Sequence, residues 1–242
     1  MEILFNILNV IKYLIYALLI IAFVIFIFLN VSPVFGASPD KNTKEIIVNS
    51  ENFFEGKFRN IKTTYTNFRT LERKSTLKEW FFPPKDKNPL GPLPTIKFQG
   101  QDLTEGKFVW FGHSTLLMKT EGLVVMTDPV FNRASPLPSF SSKSKSSFFN
   151  GKPFVFENPI LIEDLPKVDV VIISHDHYDH LDSKAIKDLS NLVDHFIVPL
   201  GVGAHLERWG VDKNKITELD WYESKSYKDV EFIFAPALHF SG

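Results

Sequence analysis

The sequence predicts an α/β fold preceded by an N-terminal apolar helix, and three observations lead to that prediction. From residue 107 onward, short apolar runs bounded by turn residues alternate with helical patterns, which is typical of α/β proteins. Residues 168–174 form one nearly continuous apolar run, as expected of a strand buried on both faces. In residues 13–31 only Asn30 is strongly polar. We therefore expect the α/β domain to occupy residues 101–242.

The N-terminal segment, residues 1–31, is expected to be a transmembrane helix or signal anchor. Crossing a hydrocarbon core takes about 20 apolar residues, whereas the apolar core of a secretory signal is usually about 7–15 residues long. Gly36-Ala37 has the small residues of a cleavage site, so export with a cleaved signal peptide is the alternative. The flanking charges are nearly balanced and do not predict which side of the membrane carries the domain.

Residues 32–100 are expected to connect this segment to the domain. Residues 32–50 contain prolines, a glycine and mixed charges, which indicates a juxtamembrane linker. Residues 53–80 alternate aromatic and basic side chains, so they are expected to lie on a membrane surface or to pack against the domain. Residues 81–94 are rich in proline and exclude a regular helix or a central strand.

Within the domain, the apolar pattern predicts each element in turn. Two apolar runs joined through the turn Glu121-Gly122 predict a hairpin. The predicted strands cover residues 108–111, 116–120, 123–127, 168–174, 195–199, 215–219 and 230–235, and the predicted helices cover residues 183–192 and 204–209.

The overall composition excludes some classes of function. The formal net charge is −1, so there is no electrostatic case for nucleic-acid binding. The chain has no cysteine, which excludes disulfides and thiolate metal sites. The composition does not predict an oligomeric state.

A cluster of metal-ligand side chains follows the predicted strand 168–174. Imidazole and carboxylate are the ligands of hydrolytic zinc sites, and this spacing supplies two pairs for two cations about 3.5–4 Å apart. The plain alternative is a polar loop in which Asp179 or Asp182 caps the next helix. An ordinary loop rarely collects this many ligand types, which favours the metal site. The ligands are His175, His177, Asp179 and His180.

The spacing His-x-His-x-Asp-His resembles the signature of the metallo-β-lactamase superfamily. Flanking blocks occur in the order seen in its N-acylphosphatidylethanolamine-hydrolysing phospholipase D branch, and the related ascorbate-phosphate lactonases share several of them. The blocks are Thr-Asp-Pro-Val-Phe at 127–131, Arg-Ala-Ser-Pro at 133–136, Val-Pro-Leu-Gly at 198–201, Glu-Leu-Asp-Trp-Tyr-Glu at 218–223 and Pro-Ala-Leu-His-Phe-Ser-Gly at 236–242. The similarity covers about residues 107–242.

The resemblance implies a site with two metal ions. His239, in the last block, is implied to join His175 and His177 on the first ion. Asp179 and His180 are implied to begin the shell of the second ion and to be the catalytic pair. Two zinc ions are expected, although iron or manganese would suit the same ligands.

Three further residues are candidates for roles around the metals. The resemblance implies that Asp128 hydrogen-bonds the metal loop and orients its imidazoles, which is compatible with an Asp-Pro turn. His113 lies in a turn between two predicted strands and is a candidate substrate contact or acid, or else a turn residue. Trp221 either lines the substrate pocket or packs in the core.

The implied fold is an αββα sandwich, of which the chain holds the first half and part of the second. The implied function is a membrane-associated, zinc-dependent phosphodiesterase of the phospholipase D type that converts N-acylphosphatidylethanolamine-like lipids to phosphatidic acid and an N-acylethanolamine. The alternative is a lactonase or phosphoesterase of the same fold with a soluble substrate. The family completes its site with a bridging aspartate and a last histidine later in the chain. A piece of a longer protein is therefore expected, with an inactive fragment as the other alternative.

Overall fold

The computed structural model describes residues 2–62, 89–132, 134 and 153–239. Much of the predicted aromatic and proline-rich arm, residues 63–88, lies outside the described residues. The helices are α1 (Glu2–Val31), α2 (Lys41–Asn49), α3 (Ser183–Leu189) and α4 (Gly203–Arg208). The strands are β1 (Phe53–Phe54), β2 (Lys57–Phe58), β3 (Phe108–Gly112), β4 (Thr115–Thr120), β5 (Leu123–Thr127), β6 (Val168–Ile172), β7 (Val193–Pro199), β8 (Ile216–Leu219), β9 (Ser224–Tyr227) and β10 (Val230–Ile233).

Helix α1 is long and apolar enough to cross a membrane. Its candidate spanning part, Phe5–Val31, has 27 residues, and its most apolar stretch of 18 residues has a mean hydropathy of 3.0. At a rise of 1.5 Å per residue the candidate spanning part is about 40 Å long, against about 30 Å for a hydrocarbon core. Its most apolar stretch buries nothing against the rest of the molecule. Either a membrane anchor or a signal sequence has these properties.

The segment expected to be a linker contains helix α2. The Asp40 side chain caps it by accepting the Thr43 N–H at 2.8 Å. The helix can form because the prolines and the glycine of this segment all precede residue 40. Residues 41–49 therefore form a structured part of the connection to the domain.

Six strands form the main sheet of the described part of the chain, in the order β3-β4-β5-β6-β7-β8. Strands β3 to β5 pair antiparallel, which includes the predicted hairpin, and strands β5 to β8 pair parallel. Strands β9 and β10 form a separate antiparallel hairpin. The sheet is mixed and helices follow its parallel strands, so the predicted α/β class is confirmed.

Both faces of the sheet are covered, because successive side chains enter two hydrophobic clusters. Phe196 of β7 packs in the larger cluster with Ile186 of α3 and Leu206 of α4. Ile197, the next residue, lies in the smaller cluster on the opposite face with Phe232 of β10. Burial on both faces explains why the run that forms β6 is almost entirely apolar.

The carboxyl ends of the parallel strands place the candidate site at one edge of the sheet. Thr127 at the end of β5 is in register with Ile172 at the end of β6, and the Asp128 N–H donates to the Ile172 carbonyl at 2.9 Å. Leu116 near the start of β4 pairs with Thr127, so the turn at His113 lies at the same edge. Open α/β sheets bind their ligands at such an edge.

Asp182 connects helix α3 to the loop that follows β5. The residue is 5% exposed. Its Oδ1 caps α3 by accepting the N–H groups of Lys184 at 2.9 Å and Ala185 at 3.2 Å. Its Oδ2 accepts the N–H groups of Asn132 at 2.9 Å and Phe131 at 3.3 Å. One carboxylate therefore holds two loops of the candidate site together.

We expect Asp182→Ala to lower the free energy of unfolding by about 2–4 kcal/mol. Loss of an N-cap costs about 1 kcal/mol, and buried N–H groups left without an acceptor add about 1–3 kcal/mol. Urea denaturation followed by circular dichroism measures the change. Asp212→Ala is the control, because the Asp212 side chain accepts only the Asn214 N–H at 2.9 Å among the described contacts and Asp212 is exposed. Equal losses in the two variants would contradict a connecting role for Asp182.

Candidate metal centre

Three histidines form the first group of the candidate site. The ligand atoms of His175, His177 and His239 lie within 4.8 Å of one another. The central atom is His177 Nδ1, which lies 3.1 Å from His175 Nε2 and 3.2 Å from His239 Nε2. Two of these residues follow β6 and the third follows β10. The structure thus brings together the three residues that the sequence assigned to one metal ion.

The second group consists of His113, Asp179 and His180, whose ligand atoms also lie within 4.8 Å of one another. His113 Nε2 is 3.2 Å from His180 Nε2 and 3.2 Å from Asp179 Oδ2. The side chains of His113 and Asp179 are 54% and 48% exposed, so this group is open to solvent. Asp179 and His180 were predicted as ligands, whereas His113 was a candidate substrate contact or acid, or else a turn residue. Its place follows from the strand order, which puts its turn beside the end of β5.

Asp128 lies buried behind the second group, with 5% of its surface exposed. Its Oδ2 accepts hydrogen bonds from His180 Nδ1 at 2.8 Å and from the Ser174 hydroxyl at 2.7 Å. Its Oδ1 accepts the Ser174 N–H at 2.7 Å, and Thr115 Oγ1 donates to its carbonyl at 2.7 Å. Its φ of 38° lies in the left-handed region, which aspartate tolerates better than most residues. This is the geometry that the predicted orienting role requires.

These hydrogen bonds determine which ring nitrogens face the two groups. The Ser174 hydroxyl donates to Asp128, so its oxygen is left to accept the His175 Nδ1–H at 2.8 Å. The His180 Nδ1–H is likewise directed to Asp128. In both rings the unprotonated Nε2 therefore carries a lone pair that faces a ligand group, as in a metal-binding histidine.

The protonation state of His175 also suits a metal ligand. Burial, together with the neighbouring imidazoles of His180, His177 and His239, lowers the pKa of His175 from 6.5 to about 4. The ring is therefore neutral at pH 7, which is the form that binds a metal. The two groups offer only nitrogen and oxygen donors, and zinc, iron or manganese suits such a set. The residues present thus fit a pair of divalent cations.

Asn60 contacts the site although no local sequence pattern marks it. Its Nδ2 donates to the His239 carbonyl at 2.6 Å, and the His239 N–H donates to its Oδ1 at 3.2 Å. The segment between α1 and the domain thereby holds the backbone of a candidate ligand. A contact between residues 179 positions apart becomes visible only in the folded chain.

A cavity of about 450 Å³ borders the site, with His177 and Asp179 among its lining residues. Trp221, the other candidate substrate contact, is not among the residues that line this cavity. It is half-buried, and its backbone N–H donates to Asp220 Oδ1 at 2.7 Å. Its contact with substrate stays a prediction.

Comparison with protein families bears directly on this part of the chain. Residues 124–242, which contain all five predicted ligands, match a family model described as a β-lactamase superfamily domain. This part of the chain is a metallo-β-lactamase superfamily domain. The predicted resemblance is confirmed, and the mixed sheet with its ligand loop after β6 is the fold of that domain.

Several curated proteins are similar in sequence to this chain. An uncharacterized protein of Mycobacterium tuberculosis (strain ATCC 25618 / H37Rv) is 41% identical over 159 residues, covering 64% of this chain and 40% of its own length. N-acyl-phosphatidylethanolamine-hydrolyzing phospholipase D 1 of Caenorhabditis elegans is 34% identical over 169 residues, covering 64% of this chain and 45% of its own length. A mitochondrial enzyme of the same description from Saccharomyces cerevisiae is 29% identical over 138 residues, which is 55% of this chain and 27% of the yeast protein. The chain spans less than half the length of these relatives.

Solved structures resemble this chain more distantly. CmlA, a diiron β-hydroxylase from Streptomyces venezuelae, is 24% identical with a TM-score of 0.38 and covers 50% of this chain and 22% of its own. The isothiocyanate hydrolase from Delia radicum gut bacteria is 24% identical with a TM-score of 0.35 and covers 48% and 41% of the two chains. At these TM-scores neither protein bears on the function of this chain.

Proposed function

We propose that this chain carries the metal centre of a membrane-anchored phosphodiesterase of the phospholipase D type that acts on N-acylphosphatidylethanolamine-like lipids. The observation that carries the proposal is the pair of adjoining ligand groups, because two divalent cations held by histidine and aspartate are typical of phosphoester hydrolases. The nematode and yeast relatives, both named for hydrolysis of N-acylphosphatidylethanolamine, support this substrate class.

The proposed ligands divide between two ions. His175, His177 and His239 would hold the first, and His113, Asp179 and His180 the second. Zinc is the proposed metal, and iron or manganese suits the same ligands. When bound, a pair of such ions lowers the pKa of water and offsets the charge that develops on a phosphodiester.

The second group is proposed as the catalytic face of the site. Asp179 has a half-exposed side chain, so the phosphate of a substrate could reach the ion that Asp179 would help to hold without any opening of the fold. His180 is only 16% exposed, and its Nδ1–H is directed to Asp128. Asp128 would thus keep His180 Nε2 aimed at the ion of the second group, which is why we assign Asp128 an orienting role.

Helix α1 is proposed as a membrane anchor that holds the domain beside its lipid substrate. Its length and its exposed apolar surface support this role. Anchored enzymes also act on soluble substrates, so the anchor alone does not distinguish a lipid phosphodiester from a soluble phosphoester or lactone. The test of the proposal must separate these substrates.

Product analysis provides that test. The full chain, reconstituted in lipid nanodiscs, would be given N-acylphosphatidylethanolamine, the soluble diester bis(p-nitrophenyl) phosphate and a simple lactone. We expect the lipid to yield phosphatidic acid and an N-acylethanolamine, identified by mass spectrometry. Cleavage of the lactone or the soluble diester alone would favour the soluble-substrate alternative. Hydrolysis of none of them by the metal-loaded chain would contradict the proposal.

Removing the metal should lower the rate of hydrolysis more than about 100-fold, because even the loss of groups that merely orient metal ligands costs about 10–100-fold. The measurement is the rate before and after dialysis against a chelator, with metal content determined by mass spectrometry. We expect about two ions per chain before dialysis. Restoration by zinc, iron or manganese, each added alone, identifies the metal that supports activity. An unchanged rate of hydrolysis in the metal-free chain would exclude the proposed role of the metal ions in catalysis.

A further inference from the structure

The cavity beside the metal ligands has one wall that comes from outside the domain. The short 3₁₀ turn Pro33–Phe35, which we call the exit turn, follows α1 directly. Val34 and Phe35 of the exit turn line the cavity of about 450 Å³, and His177 and Asp179 line it as well. A volume of this size is typical of a small-molecule site. The residues that leave α1 therefore border the same space as two proposed metal ligands.

The exit turn is attached to the domain by specific contacts. Trp209 Nε1 donates to the Pro33 carbonyl at 2.6 Å, and the Ala37 N–H donates to His205 Nδ1 at 3.1 Å. Gly36 adopts a φ of 71°, and a Cβ on it would lie 1.8 Å from His205 Nδ1. A side chain at this position would thus force the exit turn away from α4. These contacts hold the exit turn in a defined position against the domain, so it forms a fixed wall of the cavity.

The exit turn also lies close to the end of the apolar helix. Val34 comes three residues after Val31, where α1 ends, and three residues reach at most about 11 Å. The headgroup region on each side of a bilayer is about 5–8 Å thick. With α1 across the membrane, the exit turn would therefore lie within about 11 Å of the end of the spanning helix, in or beside the headgroup layer.

We propose that the exit turn is one wall of a subsite for an acyl chain of a membrane lipid. The subsite rests on the proposed function, since the phosphodiester of the same lipid would lie at His177 and Asp179. The half-buried Val34 and Phe35 would contact the chain and make lipids better substrates than soluble diesters. The segment that leaves the anchor would in this way contribute to substrate selection as well as to location.

A variant that fills the cavity tests the subsite, and the same chain offers a matched control. Val34→Trp places a large ring in the cavity, whereas Val48→Trp adds the same ring on α2 at a residue that is 67% exposed. Each methylene displaced from an apolar contact lowers binding about fourfold. We expect Val34→Trp to lower kcat/KM for N-acylphosphatidylethanolamine by about tenfold or more. Bound metal should stay the same, and hydrolysis of bis(p-nitrophenyl) phosphate, which has no acyl chain, should fall much less than hydrolysis of the lipid. Val48→Trp should affect neither substrate. Equal losses of Val34→Trp on both substrates, or no loss on the lipid, would overturn the subsite.

A second measurement does not depend on activity. A phosphatidylethanolamine with a diazirine at the end of its acyl chain would be photolysed in nanodiscs that contain the full chain. We expect label on the peptides with Tyr178 and Trp209, both of which line the cavity, and its loss in Val34→Trp. Label confined to α1 would overturn the subsite even if the chain proves to be a phosphodiesterase. Label in the cavity of a chain that cleaves no phosphodiester would support the subsite and reject the proposed function. If the chain forms dimers and no label reaches the cavity, a second copy of the chain fills this cavity and the acyl-chain subsite is overturned.

Discussion

His177→Ala is expected to remove bound metal and to lower hydrolysis more than about 100-fold. In the unchanged chain, His177 Nδ1 lies at the centre of the first group, 3.1 Å from His175 Nε2 and 3.2 Å from His239 Nε2. The alanine variant keeps only the imidazoles of His175 and His239 in this group and lacks the central nitrogen between them. Loss of a direct ligand should exceed the 10–100-fold cost of losing a group that only orients ligands. Metal content and kcat/KM would be measured on the same preparations.

His195→Gln provides the control for removing a histidine from this sheet. His195 Nε2 lies 2.8 Å from Thr217 Oγ1 and belongs to neither ligand group. Glutamine can keep the hydrogen bond to Thr217, so metal content and rate should stay near those of the unchanged chain. Full metal content in His177→Ala would exclude it as a ligand. Similar losses in both variants would point to general damage to the fold.

The part of the site that could be predicted from sequence is the part that is local in the chain. His175, His177, Asp179 and His180 fall within one loop, so their spacing alone brings them near each other. His239 was placed with them through the family resemblance, and the structure puts it 3.2 Å from His177.

The remaining contacts depend on chain segments that are far apart in sequence. His113 joins the second group because β4 runs antiparallel to β5. Asn60 reaches His239 across 179 positions, and Trp209 reaches Pro33 across 176. Hydrogen bonds of this kind leave no periodic pattern in either segment, so no reading of local sequence could supply them.

The fold, like the site, was predicted from the sequence only in part. The apolar runs predicted the strands of the main sheet because burial on one or two faces gives a strand its pattern. The predicted helix 183–192 ends at Leu189, since the end of a helix is less marked in sequence than its Asp182 cap. Helix α2 was missed because residues 41–49 have only a short apolar stretch and lie in a segment dominated by linker signals.

Asp128→Asn is expected to weaken metal binding by about 10–100-fold while the domain stays folded. In the unchanged chain, Oδ2 accepts from both His180 Nδ1–H and the Ser174 hydroxyl. Asparagine keeps one acceptor oxygen for the Ser174 N–H, but an NH₂ group would face those two donors. His180 would have to turn or change tautomer, and its Nε2 would no longer offer a lone pair to the second group. Asparagine tolerates the left-handed backbone of this residue, so the effect reports on the hydrogen bonds rather than on strain.

The matched variant is Asp169→Asn, which changes another carboxylate that accepts a backbone N–H. Asp169 Oδ2 accepts from Val124 N at 2.8 Å and its Oδ1 pairs with Lys228 at 2.6 Å, with no contact to either ligand group among the described bonds. Titration with zinc followed by calorimetry would compare the two variants. A loss of affinity in Asp128→Asn alone assigns the effect to the orientation of His180. Unchanged affinity there would mean that the second group binds its ion without support from Asp128, and the exposed pair His113 and Asp179 would then be its main ligands.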